Sequence, residues 1–254
     1  MENIIIEIVD NIGIMKINRP DAYNALNKAT VEEIDDAIEG IKQNLSIRVL
    51  IIASDNNFAA GADIKEMQNF NPEEAGNFSF TNTFNKIAAL SIPTIAAIDG
   101  YALGGGLELA LTCDIRIASE TAVMGFSEIN LGIMPGAGGT VRATKLIGES
   151  KAKELIFLGQ NVSAEQAERI GLVNMVAAKE NLMDTAMKLA KKLSLKAPIA
   201  LKSAKESIKN SADKSIEDAL KYESEIWSKL FSSQDQKEGM KAFLEKRKPD
   251  FKGQ

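Results

Sequence analysis

Two glutamates set in apolar surroundings are the residues of this sequence best suited to acid–base chemistry. Glu108 lies within the apolar run 107–111, and Glu128 is followed closely by Ile129 and Leu131. Removing an ionised carboxylate from water costs several kcal/mol unless it is paired, so burial raises its pKa or demands a partner. Chains tolerate this cost mainly at working sites, although a structural Glu108 bonding its own helix amides, or a Glu128 ending a strand in solvent, is the alternative.

Glycine-rich segments lie next to both glutamates. Three consecutive glycines, 104–106, follow the apolar run 95–98, and a second cluster occupies 136–139. Without a Cβ, the backbone here can turn tightly and approach a ligand closely. The good helix formers that follow predict a buried helix beginning at the triplet, with Glu108 in its first turn. Neither cluster completes the dinucleotide-binding pattern G-x-G-x-x-G, because Leu109 and Val141 occupy its last position.

The residue types that are absent narrow the chemistry further. The 254 residues contain no histidine and a single cysteine, Cys113. Nucleophile systems built on a Ser–His or Cys–His pair are thereby excluded, as are histidine metal ligands and a disulfide within the chain. We interpret Cys113 as a small core residue and expect no metal site. Acid and base roles are left to carboxylates, lysine or tyrosine.

Composition favours a globular protein of the cytoplasm. The chain is 45% hydrophobic and carries a net charge of −5, with basic residues dispersed except at 246–248. This distribution argues against nucleic acid as the main partner. The N-terminus lacks the basic flank and the sustained apolar run of a secretory signal, and no segment is long enough to span a bilayer. We therefore expect a cytoplasmic location and no association with a membrane.

The order of strand and helix signals predicts an α/β fold up to about residue 176. Residues 4–17 predict a hairpin around an Asp-Asn turn. Thr30 with Glu33 predicts a capping box that opens an amphipathic helix, and an Asn-Pro-Glu-Glu sequence predicts a further helix over 71–90. From about residue 180 onward the pattern is helical throughout, which indicates an appendage packed on the core or on a neighbouring subunit.

The segment IAAIDGYALGGGLELALTCDI at 95–115 resembles the signature of the enoyl-CoA hydratase/isomerase family, the crotonase superfamily. The resemblance extends over essentially the whole chain, through NRPDAYNALN (18–27), FAAGADIKEM (58–67), PGAGGT (135–140), GLVN (171–174) and FLEKRKPDFKG (243–253). It implies a crotonase-like spiral of ββα units over 1–195, which holds the CoA and catalytic sites. It further implies that a helical segment over 196–254 builds homotrimers, often paired into hexamers.

The resemblance also assigns roles by motif position. The backbone N–H groups of Ala62 and Gly105 correspond to the donor pair that holds a thioester carbonyl while enolate charge develops on it. Glu108 corresponds to the glutamate that mainly activates water, and Glu128 to the one that exchanges a proton at Cα. Relatives with other reactions commonly keep the amide pair and lose one or both glutamates, so the presence of both favours hydration.

In this family the CoA thioester is itself the substrate, and no separate cofactor is expected. The resemblance places adenine and pantetheine against the backbone of 60–64 and near two residues of the NRPDAYNALN motif, and it brings two C-terminal residues of a neighbouring subunit toward the phosphates. The residues so assigned are Ala22, Leu26, Ala60, Ala62, Asp63, Ile64, Phe243 and Lys246. Without the resemblance, the basic run 246–248 is more simply explained as a solvated helix end.

The activity implied is the reversible hydration of short-chain 2-enoyl-CoA to 3-hydroxyacyl-CoA. The C-terminal sequence is similar to those of family members acting on crotonyl-CoA and 3-hydroxypropionyl-CoA, which favours crotonyl-CoA and acryloyl-CoA as substrates. The alternatives are a Δ3,Δ2-enoyl-CoA isomerase or another thioester enzyme of the superfamily, and an RNA-binding or scaffolding homologue. Two residues depart from the family pattern: Ser127 stands where proline is usual, and Val141 where glutamine is usual.

Aromatic and apolar side chains near the motifs could form the wall of an acyl pocket. Met67, Phe84 and Phe126 are the candidates for that wall. The aromatic run Phe78, Phe80 and Phe84 lies within the helix predicted over 71–90 and is interpreted as core, because apolar residues on helices are more often buried than functional.

Overall fold

In the computed structural model, which describes residues 1–254, nine strands form two sheets. In chain order they are β1 (Ile4–Val9), β2 (Ile12–Ile17), β3 (Val49–Ser54), β4 (Thr94–Ile98), β5 (Tyr101–Leu103), β6 (Ile115–Ser119), β7 (Val123–Gly125), β8 (Asn161–Ser163) and β9 (Met175–Ala177). The larger sheet has the order β1-β2-β3-β4-β6-β9, and the smaller sheet has the order β5-β7-β8. Only the β1–β2 and β7–β8 pairs are antiparallel, so most connections cross over through helices.

Eleven α-helices complete the fold and confirm the predicted mixed α/β class. They are α1 (Lys28–Gln43), α2 (Ile64–Met67), α3 (Pro72–Asn77), α4 (Thr81–Ala88), α5 (Gly105–Ala110), α6 (Gly139–Leu158), α7 (Ala164–Arg169), α8 (Leu182–Ser194), α9 (Pro198–Ser211), α10 (Ile216–Leu230) and α11 (Gln234–Leu244). None of these helices combines the length and the apolar character needed to cross a lipid bilayer.

Helices cover both faces of the larger sheet. Every residue of β3 and β4 is buried, as expected for parallel strands enclosed on two sides. Successive side chains alternate between the faces, so Ile51 packs toward α8 while Ile52 joins the main core with residues of α1 and α5. The helix that carries Glu108 is therefore anchored against the sheet by its apolar neighbours.

The predicted hairpin is present, and the predicted cap of the first long helix is wrong. Asp10 adopts a φ of 55° in the β1–β2 turn. The N-cap of α1 is Asn27, whose Oδ1 accepts a hydrogen bond of 2.9 Å from the N–H of Thr30. Glu33 does not complete a capping box, because its carboxylate accepts the backbone N–H groups of Asn3 and Ile4 and so ties α1 to the start of β1.

The helix predicted over 71–90 is divided into α3 and α4. Its start is as predicted, since Asn71 and Glu74 form a capping box. The chain leaves helical pairing between the two helices, and Phe78 and Phe80 both border one cavity. In a continuous helix, residues two apart do not face the same side, so the interruption is what brings these two rings together. Their centroids lie 4.9 Å apart, and Phe84 continues the cluster into the core.

The helical character predicted from about residue 180 onward is present as α8 to α11, and α11 ends at Leu244. Lys205 of α9 reaches back to Asp114 with an Nζ–Oδ2 distance of 2.7 Å. Large apolar side chains on this part of the chain are exposed: Ile208, Ile216, Leu220, Trp227, Phe243 and Leu244. The division into 1–195 and 196–254 and the role of the second part in trimer formation stay predictions.

Candidate active site

The turn from β5 into α5 presses closely against the segment 58–62. The N–H of Leu103 donates to the carbonyl of Ala59, and Ala59 forms a parallel bridge with Ala102. Gly106 packs so tightly here that an added Cβ would stand 2.0 Å from the Ala59 carbonyl oxygen. The glycine triplet therefore has a local physical reason: it lets the start of α5 approach a second stretch of main chain.

A cavity of about 240 Å³ opens at this junction. Ala62, Gly105, Glu108 and Glu128 all line it. The structure thus brings together the four residues selected from the sequence as candidate catalytic groups, although they come from three separate stretches of chain. Phe78 and Phe80 border the same space.

The N–H groups of Ala62 and Gly105 donate to no group of the protein. Ala62 and Leu26 form a parallel bridge. In this bridge the N–H of Leu26 donates to the carbonyl of Gly61, and the N–H of Asp63 donates to the carbonyl of Leu26. The N–H of Ala62 therefore points away from Leu26. Gly105 is the first residue of α5, where an N–H has no partner inside the helix and the helix dipole favours negative charge. The two donors are close, since a Cβ placed on Gly105 would lie 3.6 Å from the Ala62 nitrogen.

Glu108 is held firmly by one of its two oxygens. Its side chain is buried, and Oε1 accepts hydrogen bonds of 2.7 Å from the N–H groups of both Ala137 and Gly139. Burial raises the pKa of Glu108 above its ordinary value, while these two N–H donors and the charge of Arg142 act in the opposite direction. Oε2 accepts no hydrogen bond from the protein, which leaves it available to a molecule in the cavity.

The carboxyl group of Glu128 has fewer hydrogen-bond partners than that of Glu108. It begins the short 3-10 helix Glu128–Leu131, directly after β7 and the following two residues. Its Oε2 is buried without a hydrogen-bond partner. Burial raises the pKa of Glu128 to about 7, and the charge of Glu108 adds to this effect, while the residue's own N–H opposes it. The two carboxyl groups therefore face one cavity with unequal tendencies to ionise, which is the arrangement that separates an acid from a base.

Replacing Glu128 with glutamine is expected to raise thermal stability at alkaline pH. The pKa of Glu128 rises from 4.5 in the unfolded chain to about 7 in the folded protein. Its contribution to stability is therefore fully present below pH 4.5 and is lost as the pH rises through 7, because the folded state must then bury a charge. Glutamine avoids this loss, so Tm of Glu128→Gln should exceed that of the wild type by a few degrees at about pH 8.

Differential scanning calorimetry at two pH values checks this prediction. The difference in Tm should vanish at about pH 4, where the carboxyl group is protonated in both the folded and the unfolded chain. An equal difference at both pH values would contradict it, because the change would then not arise from ionisation.

The residues assigned to CoA occupy different positions around the cavity. Ala60, Ala62 and Ile64 line it. Asp63 is engaged elsewhere: it caps α2 and pairs with Arg19 at 2.9 Å. Leu26 is fully buried and does not line the cavity, and both its N–H and its carbonyl are engaged in the bridge to Ala62. The remaining three do not line the cavity: Ala22 ends a 3-10 turn, and Phe243 and Lys246 lie on the exposed C-terminal part of the chain.

The three acyl-pocket candidates lie in different environments. Met67 lines the cavity, whereas Phe84 and Phe126 are fully buried in the core. Phe78 and Phe80, both predicted to be core residues, pack with the core and also border the cavity. Sequence reasoning does not single out the N–H donors of Ala137 and Gly139, although both lie in the glycine-rich PGAGGT segment. Its glycine content was the one signal that another group approaches the backbone there.

Comparisons with known proteins agree with this fold and identify the family. The model of the enoyl-CoA hydratase/isomerase family matches residues 7–254, and the chain therefore belongs to this family. It is 44% identical to the short-chain-enoyl-CoA hydratase of Clostridium acetobutylicum, over 98% of this chain and 97% of that protein. It is 43% identical to the crotonyl-CoA hydratase of Syntrophomonas wolfei, over 98% of both.

Solved structures of similar proteins have the same architecture. A structure from Geobacillus kaustophilus described as an enoyl-CoA hydratase subunit superposes with a TM-score of 0.95 at 43% identity, over 99% of this chain and 98% of the other. The enoyl-CoA hydratase of Bacillus anthracis gives a TM-score of 0.96 at 38% identity, over 99% and 100% of the two chains. These relatives are named as enoyl-CoA hydratases, which are hydro-lyases.

Proposed function

We propose that this protein is an enoyl-CoA hydratase that adds water reversibly to short-chain 2-enoyl-CoA thioesters and forms 3-hydroxyacyl-CoA. The observation that carries the proposal is the presence of two carboxyl groups, Glu108 and Glu128, in one cavity with the two unpaired N–H groups of Ala62 and Gly105. The names of the relatives support the same reaction.

In the proposed reaction, the thioester carbonyl oxygen accepts hydrogen bonds from the N–H groups of Ala62 and Gly105. When water attacks Cβ, the π electrons of the enoyl group move toward this oxygen and it gains negative charge. Donors fixed in the main chain stabilise that charge without reorganising, and losing one such donor typically costs about 10²- to 10³-fold in rate. Because both N–H groups lack protein partners, no internal hydrogen bond has to break before the substrate binds.

Glu108 acts as the base and Glu128 as the acid in the direction of hydration. Burial raises the pKa of Glu108, but two N–H donors and the charge of Arg142 oppose that rise and favour its ionised form. In this form Glu108 removes a proton from water as the new C–O bond forms. Glu128, with a pKa of about 7, is protonated in a large fraction of molecules at neutral pH and supplies the proton to Cα. Proton exchange with solvent then returns the pair to its starting state.

The size and lining of the cavity support short acyl groups. A space of about 240 Å³, lined mainly by apolar side chains with few polar groups, suits crotonyl and acryloyl thioesters. Ser127, where the family usually has proline, is part of the wall, whereas Val141 is exposed and lies outside it. The scheme uses only the CoA thioester, water and the protein's own groups, and we propose that no cofactor takes part.

We further propose that the protein acts as a homotrimer, alone or paired into a hexamer. The exposed apolar side chains of α9, α10 and α11 support this assembly, because surfaces of this kind commonly mark protein interfaces. In such an assembly Phe243 and Lys246 would serve the CoA site of a neighbouring subunit.

Hydration of crotonyl-CoA by the wild-type protein tests the proposed function. The absorbance of the conjugated enoyl thioester should fall as 3-hydroxybutyryl-CoA forms, and kcat/KM should decrease from crotonyl-CoA to decenoyl-CoA. An inert protein would overturn the proposal. A rise in the same absorbance with 3-hexenoyl-CoA, without hydration of crotonyl-CoA, would identify an isomerase, and salt-sensitive RNA binding without either activity would favour a binding role.

A further inference from the structure

Arg142 links α4 to the loop 135–139, which contributes Gly136 and Ala137 to the cavity wall, although Arg142 does not line the cavity itself. It belongs to the first turn of α6. Its Nη1 donates to the carbonyl of Ala137 at 2.8 Å, and its Nη2 donates to Oδ1 of Asn85 in α4 at 2.6 Å. The planar guanidinium can bridge these two acceptors because its donors have a fixed geometry.

Ala137 is hydrogen-bonded to both Arg142 and Glu108. The N–H of Ala137 donates to Oε1 of Glu108, while its carbonyl accepts from Arg142. The neighbouring turn shows how close the guanidinium lies: Gly138 has a φ of +108°, and a Cβ there would stand 1.9 Å from Nη1. The loop 135–139 is thus held between the carboxylate on one side and the guanidinium on the other.

The charge of Arg142 also acts on Glu108. Two charged groups interact with the Glu108 carboxylate. The cation of Arg142 lowers the pKa of Glu108, and the charge of Glu108 raises the pKa of Glu128. Burial lowers the pKa of Arg142, and Glu108 partly restores it. Arg142 is thus the one nearby cation that offsets the burial of Glu108.

We propose that Arg142 is a positioning residue for hydration: by bridging Ala137 to Asn85 of α4, it fixes the loop whose N–H groups orient Glu108. The inference rests on the proposed function, in which Glu108 must be ionised to accept a proton from water. Arg142 does not line the cavity, so in this role it acts only through Ala137 and Glu108.

Two substitutions separate the bridge from the charge. Arg142→Gln removes both, whereas Arg142→Lys keeps the positive charge but replaces the planar fork with a single ammonium group. Arg169→Gln is the matched control, because Arg169 is exposed and pairs only with Glu165. For each protein we would measure kcat and KM with crotonyl-CoA between about pH 5 and 9, the binding of butyryl-CoA, and thermal unfolding.

We expect both substitutions at position 142 to lower kcat by about 10- to 100-fold, since small misplacements of a catalytic group have effects of this order. Binding of butyryl-CoA, a saturated thioester that cannot be hydrated, should stay within about threefold of wild type, because Arg142 lies outside the cavity. In Arg142→Gln the acidic limb of the kcat–pH profile should move to higher pH, because the pKa of Glu108 rises when the cation is lost. In Arg142→Lys this limb should stay near its wild-type position.

An unchanged kcat and pH profile in Arg142→Gln would overturn the inference, as would a loss of butyryl-CoA binding equal to the loss of kcat. If Arg142→Gln does not fold, the Lys variant decides: a reduced kcat with an unmoved acidic limb supports positioning, and wild-type kcat overturns it. These outcomes differ from failure of the proposed function, in which the wild-type protein and Arg169→Gln would both be inert toward crotonyl-CoA.

Discussion

Replacing either Glu108 or Glu128 with glutamine is expected to lower kcat for crotonyl-CoA hydration by about 10³-fold. Glutamine preserves the size and polarity of the side chain but cannot take up or release a proton at neutral pH. In Glu108→Gln the amide oxygen can still accept the two N–H groups that hold Oε1 in the wild type, so the fold should be retained. The loss would then report chemistry rather than stability.

Absorbance at the enoyl thioester band measures this loss, and calorimetric binding of butyryl-CoA checks that the site is intact. Glu154→Gln is a suitable control, since Glu154 is exposed and pairs only with Lys151 on the surface of α6. If either active-site variant kept activity within about tenfold of wild type, that glutamate would not be an obligatory proton carrier. A single obligatory glutamate would favour the isomerase alternative.

Gly106→Ala is expected to lower kcat by about 10²-fold and to destabilise the fold by about 1–3 kcal/mol. The added Cβ would stand 2.0 Å from the Ala59 carbonyl oxygen, a contact with main chain that no rotation of a side chain can relieve. Either the start of α5 or the segment 58–62 must shift, and both shifts displace a donor, since Gly105 and Ala62 lie on the two sides of this contact.

Gly40→Ala gives the matched control for this substitution. A Cβ at Gly40 meets nothing within 4 Å, and the residue lies inside α1. Alanine should therefore stabilise the protein by about 0.5–1 kcal/mol through its higher helix propensity, without affecting kcat. Urea unfolding together with crotonyl-CoA kinetics measures both effects. A Gly106→Ala protein with wild-type kcat would show that catalysis does not depend on the observed position of the turn from β5 into α5.

Features that depend on neighbouring residues were predictable from the sequence. The Asp10 turn, the capping box of Asn71 and the position of Glu108 in the first turn of a buried helix each follow from local backbone preferences. The resemblance to the family added the prediction that Glu108 and Glu128 act in one site, which local backbone preferences alone left open.

Features that depend on contacts between distant segments were not predictable. Thr30 and Glu33 have the correct spacing for a capping box, yet Asn27 caps α1 and Glu33 bonds β1, because the strand offers its N–H groups to the carboxylate. Phe78 and Phe84 are equally apolar, and only the break between α3 and α4 determines which of them reaches the cavity.

The bridge between Ala62 and Leu26 has a consequence for how such a protein can evolve. Because flanking main-chain bonds aim the Ala62 N–H, this donor survives any substitution at position 62 except proline. The carboxyl groups at 108 and 128, by contrast, can each be removed by one codon change. Under the proposed mechanism, a descendant could thus lose or replace its proton carriers while it still held a thioester carbonyl. New reactions on the same class of substrate would therefore be accessible in single steps from a functioning ancestor.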